Sequence, residues 1–570
     1  MEIVVIGVVG IAVVVLSTTL APRIGIAAPL ILTLVGIGVG FLPFVQAIEI
    51  KPEWVLGGLL PPLLYAVAVN TPVMEFRRDF SVISAYSVVL VVVSSVVVGL
   101  VMTLLVPGMP LAVGIAVGAI VSPTDAVATS IVRKAGVSPR IVTVLEGESM
   151  LNDASALVVL RSALAAVAVT VSLGKVAEDF AYAVLVAVLI GLVVGRINLI
   201  VRAHISVATS NIAFSLAVPF MAYLPAEAAG ASGLVAVVTA GIVAGQGMPK
   251  RLDAQVRLAE RAVWQTIELL AESAVFLLMG LQTFGLVEAV LSGGDSLWFA
   301  FGAGALVAAI VVFVRAVFVT GSVWSLARQF RRQTARADAL RARMRTAEGQ
   351  QRMKALRERA SDRPAEQANR FRDMVQRRRA DLEYLANERF GWREGILLVW
   401  AGMRGAVTLA AAQSLPSTVP HRALLVLVAF TVAVGTLLVQ GATLSPLVRK
   451  LGLIRNDDEE DAIKLRALLA ELSATATARL DDPGLARADG TPYPAEIIDD
   501  ARHEVTLSRE LDDETTQDSA TQLELRLDLV ERQREKLLHL RGLGTYPSAV
   551  LDHALDLLDA DEIGIELRKR

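Results

Sequence analysis

Between residues 3 and 447 the chain turns apolar again and again, each time over a stretch long enough to cross the hydrocarbon core of a bilayer. These stretches fall near 3–20, 28–45, 55–70, 83–105, 111–132, 147–172, 179–195, 205–224, 229–247, 264–287, 297–324, 395–413 and 423–447. In hydrocarbon every backbone N–H and C=O must find its partner inside the protein, and uninterrupted apolar runs achieve that as helices. The pattern predicts an all-α polytopic membrane protein with about 13 transmembrane helices. A hydrophobic content of 54% in 570 residues excludes an ordinary soluble enzyme.

Orientation follows from the short loops. Arg23, Arg77, Arg78, Arg133, Lys134, Arg140, Arg196, Arg202, Lys250, Arg251, Arg257 and Arg261 fall in one alternating set, and only Lys51, Lys175 and Arg422 in the other. Basic loops stay in the cytoplasm. The N-terminus is thus expected outside and the C-terminus inside, in a cell (inner) membrane. Residues 1–20 lack the basic start and small-residue cleavage site of a signal peptide and read as a span that remains.

Two regions depart from the rhythm. Residues 325–394 carry nineteen Lys/Arg against ten Asp/Glu and are rich in helix formers. They read as a solvated, partly helical cytoplasmic loop between spans 11 and 12, or as a surface that docks on anionic lipid headgroups. Residues 451–570 carry twenty-eight acids against fifteen Lys/Arg, with helical apolar spacing at 523–540 and 550–558. This is expected to be a helical cytoplasmic tail beside a transmembrane domain over 1–450, and its acidity argues against nucleic acid as a partner. Cysteine is absent, the five histidines show no metal-binding spacing, and no phosphate-cradling loop or Ser/His/Asp arrangement occurs. Neither an enzyme nor a cofactor is expected.

The chemistry gathers between Ser122 and Asp153. Ser122-Pro123-Thr124-Asp125-Ala126 interrupts one span, and Glu148-Ser149-Met150-Leu151-Asn152-Asp153 lies in the next. Pro123 removes a backbone donor and disfavours helix at Ser122, so carbonyls beside Asp125 are freed to bind a cation. At about 100° per residue, Glu148, Ser149, Asn152 and Asp153 share roughly 140° of one helical face. Acids at membrane depth are costly and mark ion or proton paths. Glu272, Arg315 and Arg404 are also buried by position, and either arginine could pair with Glu148. Glu227, at the outer end of a span, reads as a solvated interfacial carboxylate.

Pro123-Thr124-Asp125, the run from Glu148 to Asp153, Gly402-Met403-Arg404-Gly405-Ala406, Val439-Gln440-Gly441, and Ala226-Glu227 followed by Ser232-Gly233 resemble the landmarks of the first class of monovalent cation/proton antiporters. This is the sodium/proton exchanger group, and the resemblance covers about residues 1–450. It implies a homodimer whose mobile core holds inverted repeats, with two broken helices crossing at the midplane. It makes Asp125 and Asp153 the ion-binding acids, Thr124 and Ser149 accessory ligands, Asn152 the Asn of that group, and Glu148–Arg315 a buried ion pair. Arg404 is left beside the helix crossing, with Glu272 a supporting charge.

Two features depart from the group's pattern. Leu60-Pro61-Pro62-Leu63-Leu64-Tyr65 is followed by Ala66 where many relatives carry a glutamate, and the loop before span 12 is unusually long. Asn152 in place of a second acid leaves fewer titrating groups, and the resemblance to the group then implies one-for-one, electroneutral exchange of Na+, K+ or Li+ for H+. An intramembrane aspartyl protease would need Tyr-Asp and Gly-x-Gly-Asp, whereas Asp125 follows Thr124 and Asp153 follows Asn152. A cation channel, or a sensor signalling through the tail, would use the same acids without coupling cation entry to proton exit.

Overall fold

The computed structural model describes residues 2–24, 27–42, 52–168, 173–344, 365–387, 390–455, 458–487, 489–507 and 520–569. Lys51 and 345–364, both part of the sequence reading, lie outside them. Among the described residues the chain is helical, with no strand beyond an isolated bridge between Ala486 and Pro492. It divides into two units: 1–251, 259–332 and 390–455 form one, and 252–258, 333–389 and 456–570 the other.

The first unit opens with α1 (Glu2–Ile24) and α2 (Ala28–Gly40). A π-helical turn over Trp54–Leu59 runs without a break into α3 (Leu60–Asn70), where Pro61 and Pro62 offer no N–H to the carbonyls of the preceding turn. Next come α4 (Val73–Ser84), a π-helical turn over Ala85–Val89, and α5 (Leu90–Leu105). The chain then forms α6 (Leu111–Val121), α7 (Val127–Lys134), α8 (Pro139–Ala168), α9 (Leu173–Arg202), α10 (Ala208–Ala228) and α11 (Gly233–Arg251). After these lie α12 (Ala254–Leu281), α13 (Thr283–Ser292) and α14 (Leu297–Met344), which continues beyond the apolar stretch expected there. The helix α15 (Ala365–Asn387) belongs to the second unit, and the first resumes with α16 (Trp392–Trp400), α17 (Ala406–Gln413) and α18 (Arg422–Leu451).

Six of these helical segments are long and apolar enough to cross a membrane, and several shorter apolar helices lie among them. Two triplets stand out, each a long helix, a broken helix and a long helix in chain order. The first is α4–α5, α6/α7 and α8; the second is α14, α16/α17 and α18. Their breaks have different causes. In the first, Pro123 stops the helix. In the second, Gly402 lies so close to the Arg315 guanidinium that a Cβ there would overlap it. Tight packing also joins α5 to α6, where Gly114 and Gly118 face Gly99 and Ser95 without room for a side chain. A separate set, α3, α9, α10 and α11, packs together within the same unit.

The second unit is built from α15 with α19 (Asp458–Leu480), α20 (Ala495–Leu507), α21 (Ala520–Leu543) and α22 (Ser548–Lys569). Its apolar spacing closes a core around Leu468, Leu472, Leu537, Leu540, Leu551 and Leu555. Arg257 joins this unit through Asp559, which also accepts from Arg534 at 3.3 Å. Two short bundles with helical period thus arise from one chain: one apolar on most faces, the other on a single stripe.

Candidate functional site

The two broken helices meet at their breaks. The backbone N–H of Asp125 donates to the Met403 carbonyl at 2.8 Å, so residues freed from one helix satisfy residues freed from the other. Four half-helix ends converge there, and two charged side chains divide them. Asp125 Oδ1 accepts from the Val127 N–H at 3.3 Å, at the start of α7. The same carboxylate packs against Gly405, at the start of α17, where a Cβ would overlap it. Both N-terminal ends, which carry partial positive charge, therefore face this acid. The Arg404 guanidinium takes the opposite ends. Its Nε donates to the Val121 carbonyl at 3.0 Å, closing α6, and an Nη donates to the Gly402 carbonyl just beyond α16. Arg404 thus lies beside the crossing, its backbone N–H held by Thr436 Oγ1 at 3.0 Å.

Glu148 pairs with Arg315, as the family resemblance implied. Both side chains are 1% exposed, with Nη2 to Oε2 at 2.9 Å and Nη1 close to Oε1. Arg315 Nε also donates to the Leu398 carbonyl at 2.8 Å, tying α14 to α16. The pair reaches the break through Thr124, whose hydroxyl donates to Glu148 Oε1 at 3.1 Å. That same hydroxyl accepts from Asn152 Nδ2 at 2.7 Å.

This chain of bonds decides which atoms remain open. The Asn152 amide nitrogen is engaged by Thr124, and Asn152 Oδ1 is left buried without a partner among the described residues. Asp125 Oδ2 is likewise buried and unpartnered. Asp153 is buried on α8 next to Asn152, within electrostatic reach of Asp125, and forms no ion pair among the described residues. Ser149 is buried one helical turn before Asp153. Unpaired buried oxygens are costly unless something takes them up, and hard oxygens of this kind suit alkali cations and protons. The arrangement can hold a desolvated monocation or a proton at one place.

Glu272 stands on α12, partly buried, within electrostatic reach of Asp125, Glu268 and Lys134. Ala66 is fully buried on α3, leaving that position without a carboxylate. Glu227 is not a lone solvated acid: Arg161 Nη2 lies 2.8 Å from its Oε2, and the Gly233 N–H donates to its Oε1 at 3.1 Å. The sequence reading placed Arg161 inside a span and gave it no partner.

Sequence reasoning also missed two further buried pairs, Arg140–Asp79, 6% and 1% exposed and 2.6 Å apart, and Arg202–Glu260. Arg202 and Glu260 are 0% and 2% exposed and lie 2.6 Å apart. Arg202 Nε donates to Asn211 Oδ1 at 2.7 Å, and Trp264 Nε1 donates to Glu260 Oε1 at 3.3 Å. Arg202 had been counted among the basic loops, and no motif or spacing links positions 58 residues apart.

Comparisons with known proteins bear on the family and the fold. A family model described as "Sodium/hydrogen exchanger, transmembrane" matches 10–348 and 368–450. The Na+/H+ exchanger YjcE of Escherichia coli is 29% identical over 571 residues, covering 94% of this chain and 94% of its own length. The Na+/H+ antiporter ApNhaP of Aphanothece halophytica is 24% identical over 429 residues, 75% of this chain and 70% of that protein. The solved structure of the sodium proton antiporter MjNhaP1 from Methanocaldococcus jannaschii aligns with a TM-score of 0.54 at 16% identity, covering 79% of this chain and 99% of that one. At that identity the likeness speaks for the fold alone.

Proposed function

Because this chain belongs to the sodium/hydrogen exchanger family, a family of membrane antiporters, we propose that it exchanges Na+ for H+ at a single site made by Asp125, Asn152 and Asp153. The observation that carries the reading is the unpartnered pair of buried oxygens, Asp125 Oδ2 and Asn152 Oδ1, beside the Asp153 carboxylate. Burial disfavours the charged form of a carboxylic acid, so protonated and cation-bound states approach one another in free energy. Na+ and H+ then compete for the same oxygens, and alternating exposure of the site exchanges them without ATP. Thr124 orients Asn152 so that its oxygen, and not its nitrogen, is available to the cation. Glu148–Arg315 holds Thr124 and fixes α8 against α14. Ser149, one turn before Asp153, is an accessory oxygen.

With Asn152 in place of a second acid, one proton is exchanged per Na+. Clamping the membrane potential should therefore leave the rate unchanged, and a voltage-dependent rate would refute that stoichiometry. The basic loops support a cytoplasmic C-terminus in a cell membrane, and the family resemblance supports a homodimer. Exchange of this kind serves pH and sodium homeostasis. K+ would use the same oxygens, and initial rates with each cation rank them.

The competition itself is tested by rates in proteoliposomes over a matrix of pH and Na+. Lowering pH raises the apparent KM for Na+, and saturating Na+ restores most of the rate. A fall in maximal rate that no Na+ concentration restores, and that disappears on removing 451–570, would replace competition by a sensor in the tail.

A further inference from the structure

The helix α15 combines an apolar strip with arginines, and it is anchored from the other side. Phe371, Met374 and Val375 are 49%, 59% and 50% exposed. At about 100° per residue they occupy one arc roughly 100° wide. Arg378 projects from within that arc, Arg379 and Arg372 lie about 40° and 60° beyond one border, and all three are exposed. No carboxylate falls inside the arc, although the half-buried Asp381 lies about 20° beyond its other border and Arg379 Nε reaches Glu383 at 2.8 Å. The opposite side of the helix faces its own unit. Ala380 is buried, Asp373 Oδ1 lies 3.8 Å from His539 Nε2 on α21, and α15 packs along α21. The apolar strip therefore points away from the core of the unit that holds the helix.

We propose that this strip is an interfacial docking surface for an anionic lipid bilayer. Its chemistry is that of helices that lie in the headgroup region: apolar side chains enter the acyl boundary while flanking basic groups meet lipid phosphates. Arginine favours this role because its planar guanidinium binds phosphate through two donors. Long basic side chains can also lay their stems on the apolar surface and extend their heads to the phosphates, which accommodates Arg378 inside the arc. The bilayer is within reach, because only Glu388 and Arg389 separate the helix from Phe390, where the first unit resumes. Charge selects the occupant: a strip that holds Arg378 and no acid, flanked by Arg372 and Arg379 on one side with Asp381 half-buried at the other border, is net basic and matched to an anionic surface, whose attraction acts only within a Debye length. Since α15 is packed on α21, lipid that holds the strip also holds the tail helices at the membrane. The inference concerns attachment and stands apart from the exchange reaction.

The chain contains no cysteine, so Met374→Cys gives full-length protein a single attachment point for an environment-sensitive fluorophore. In vesicles containing phosphatidylglycerol the label should emit to the blue and be quenched by acyl-brominated phospholipid. Both signals should be lost in phosphatidylcholine vesicles. They should also be lost in the Arg372→Glu/Arg378→Glu/Arg379→Glu variant, whose retained Na+/H+ exchange reports that it is folded. A label open to aqueous iodide and untouched by brominated lipid in every vesicle would overturn the proposal. So would lipid quenching that the triple variant preserves. Shielding that is independent of lipid charge and vanishes on dilution to one protomer per vesicle would assign the strip to a second copy, which also overturns it.

Discussion

Two Arg–Glu pairs lie buried in the first unit, and they teach different things about charge inside a membrane protein. Glu148–Arg315 and Arg202–Glu260 are alike in exposure and in forming two contacts between guanidinium and carboxylate. Their surroundings differ. Around Arg202–Glu260 the bonds made by the pair itself turn back on it: Asn211 accepts from Arg202 Nε and donates to the Arg202 carbonyl at 2.9 Å, and the Trp264 indole N–H adds a bond to Glu260, while the nearby Asn198 Oδ1 stays unpartnered with no bond to either charge. Around Glu148–Arg315 the bonds run outward through Thr124 to Asn152 and stop there, leaving Asn152 Oδ1 and Asp125 Oδ2 unpaired. A buried charge pair is thus no signature of transport by itself. What sets Glu148–Arg315 apart is that its bonds lead to a helix break, where a carboxylate oxygen and an amide oxygen stand open beside a further acid.

The largest test of that contrast is Asp153→Asn against Glu260→Gln, both in purified, vesicle-inserted protein. Asp153→Asn is expected to abolish Na+-driven proton release while the protein remains folded. Glu260→Gln is expected to lower thermal stability while the exchange of the surviving folded fraction persists. Coupled flux at the wild-type rate in Asp153→Asn would remove that acid from the mechanism.

Next in size are the two double-mutant cycles on stability. Removing one partner strands a buried charge and should cost on the order of 3–5 kcal/mol in either pair, whereas removing both should cost less than the sum. The cycles should agree in stability and disagree in transport. Arg202→Met/Glu260→Leu keeps exchange, and Glu148→Leu/Arg315→Met loses it because no acceptor is left to hold Thr124. If the single effects at Glu148 and Arg315 simply add, the two side chains are not coupled.

The smallest effect belongs to Arg161–Glu227, a pair of half-exposed residues that supplies the surface reference for both cycles. Its side chains are 55% and 27% exposed, so Arg161→Ala should change stability by only about 0–1 kcal/mol, and less at high salt. A loss as large as in the buried cycles would show that solvent screening is absent there, and the ranking by burial would fail.

The break of one helix and the polar face of the next were legible because each is local. Pro123 acts on its own neighbours, and the helical period alone puts Ser149 and Asn152 on one face with the two acids of that run. The sequence likewise determined the membrane-spanning class, since an apolar run in hydrocarbon has few ways to satisfy its backbone. The second break was marked only by glycines, and its reason lies in another helix: Arg315 fills the space beside Gly402. Arg202 shows in the sequence only as a basic-loop residue, and Arg161 and Glu260 carry no signal at all, because partners 58 to 66 positions away leave no periodic trace. Residue spacing left Arg315 and Arg404 equally open as partners of Glu148 and the family resemblance favoured Arg315, but only the tertiary structure decided that the amide of Asn152 is engaged by Thr124. A pairing among many helices depends on which faces come together, and that is fixed by the packing of the whole bundle, while a single helix records only its own period.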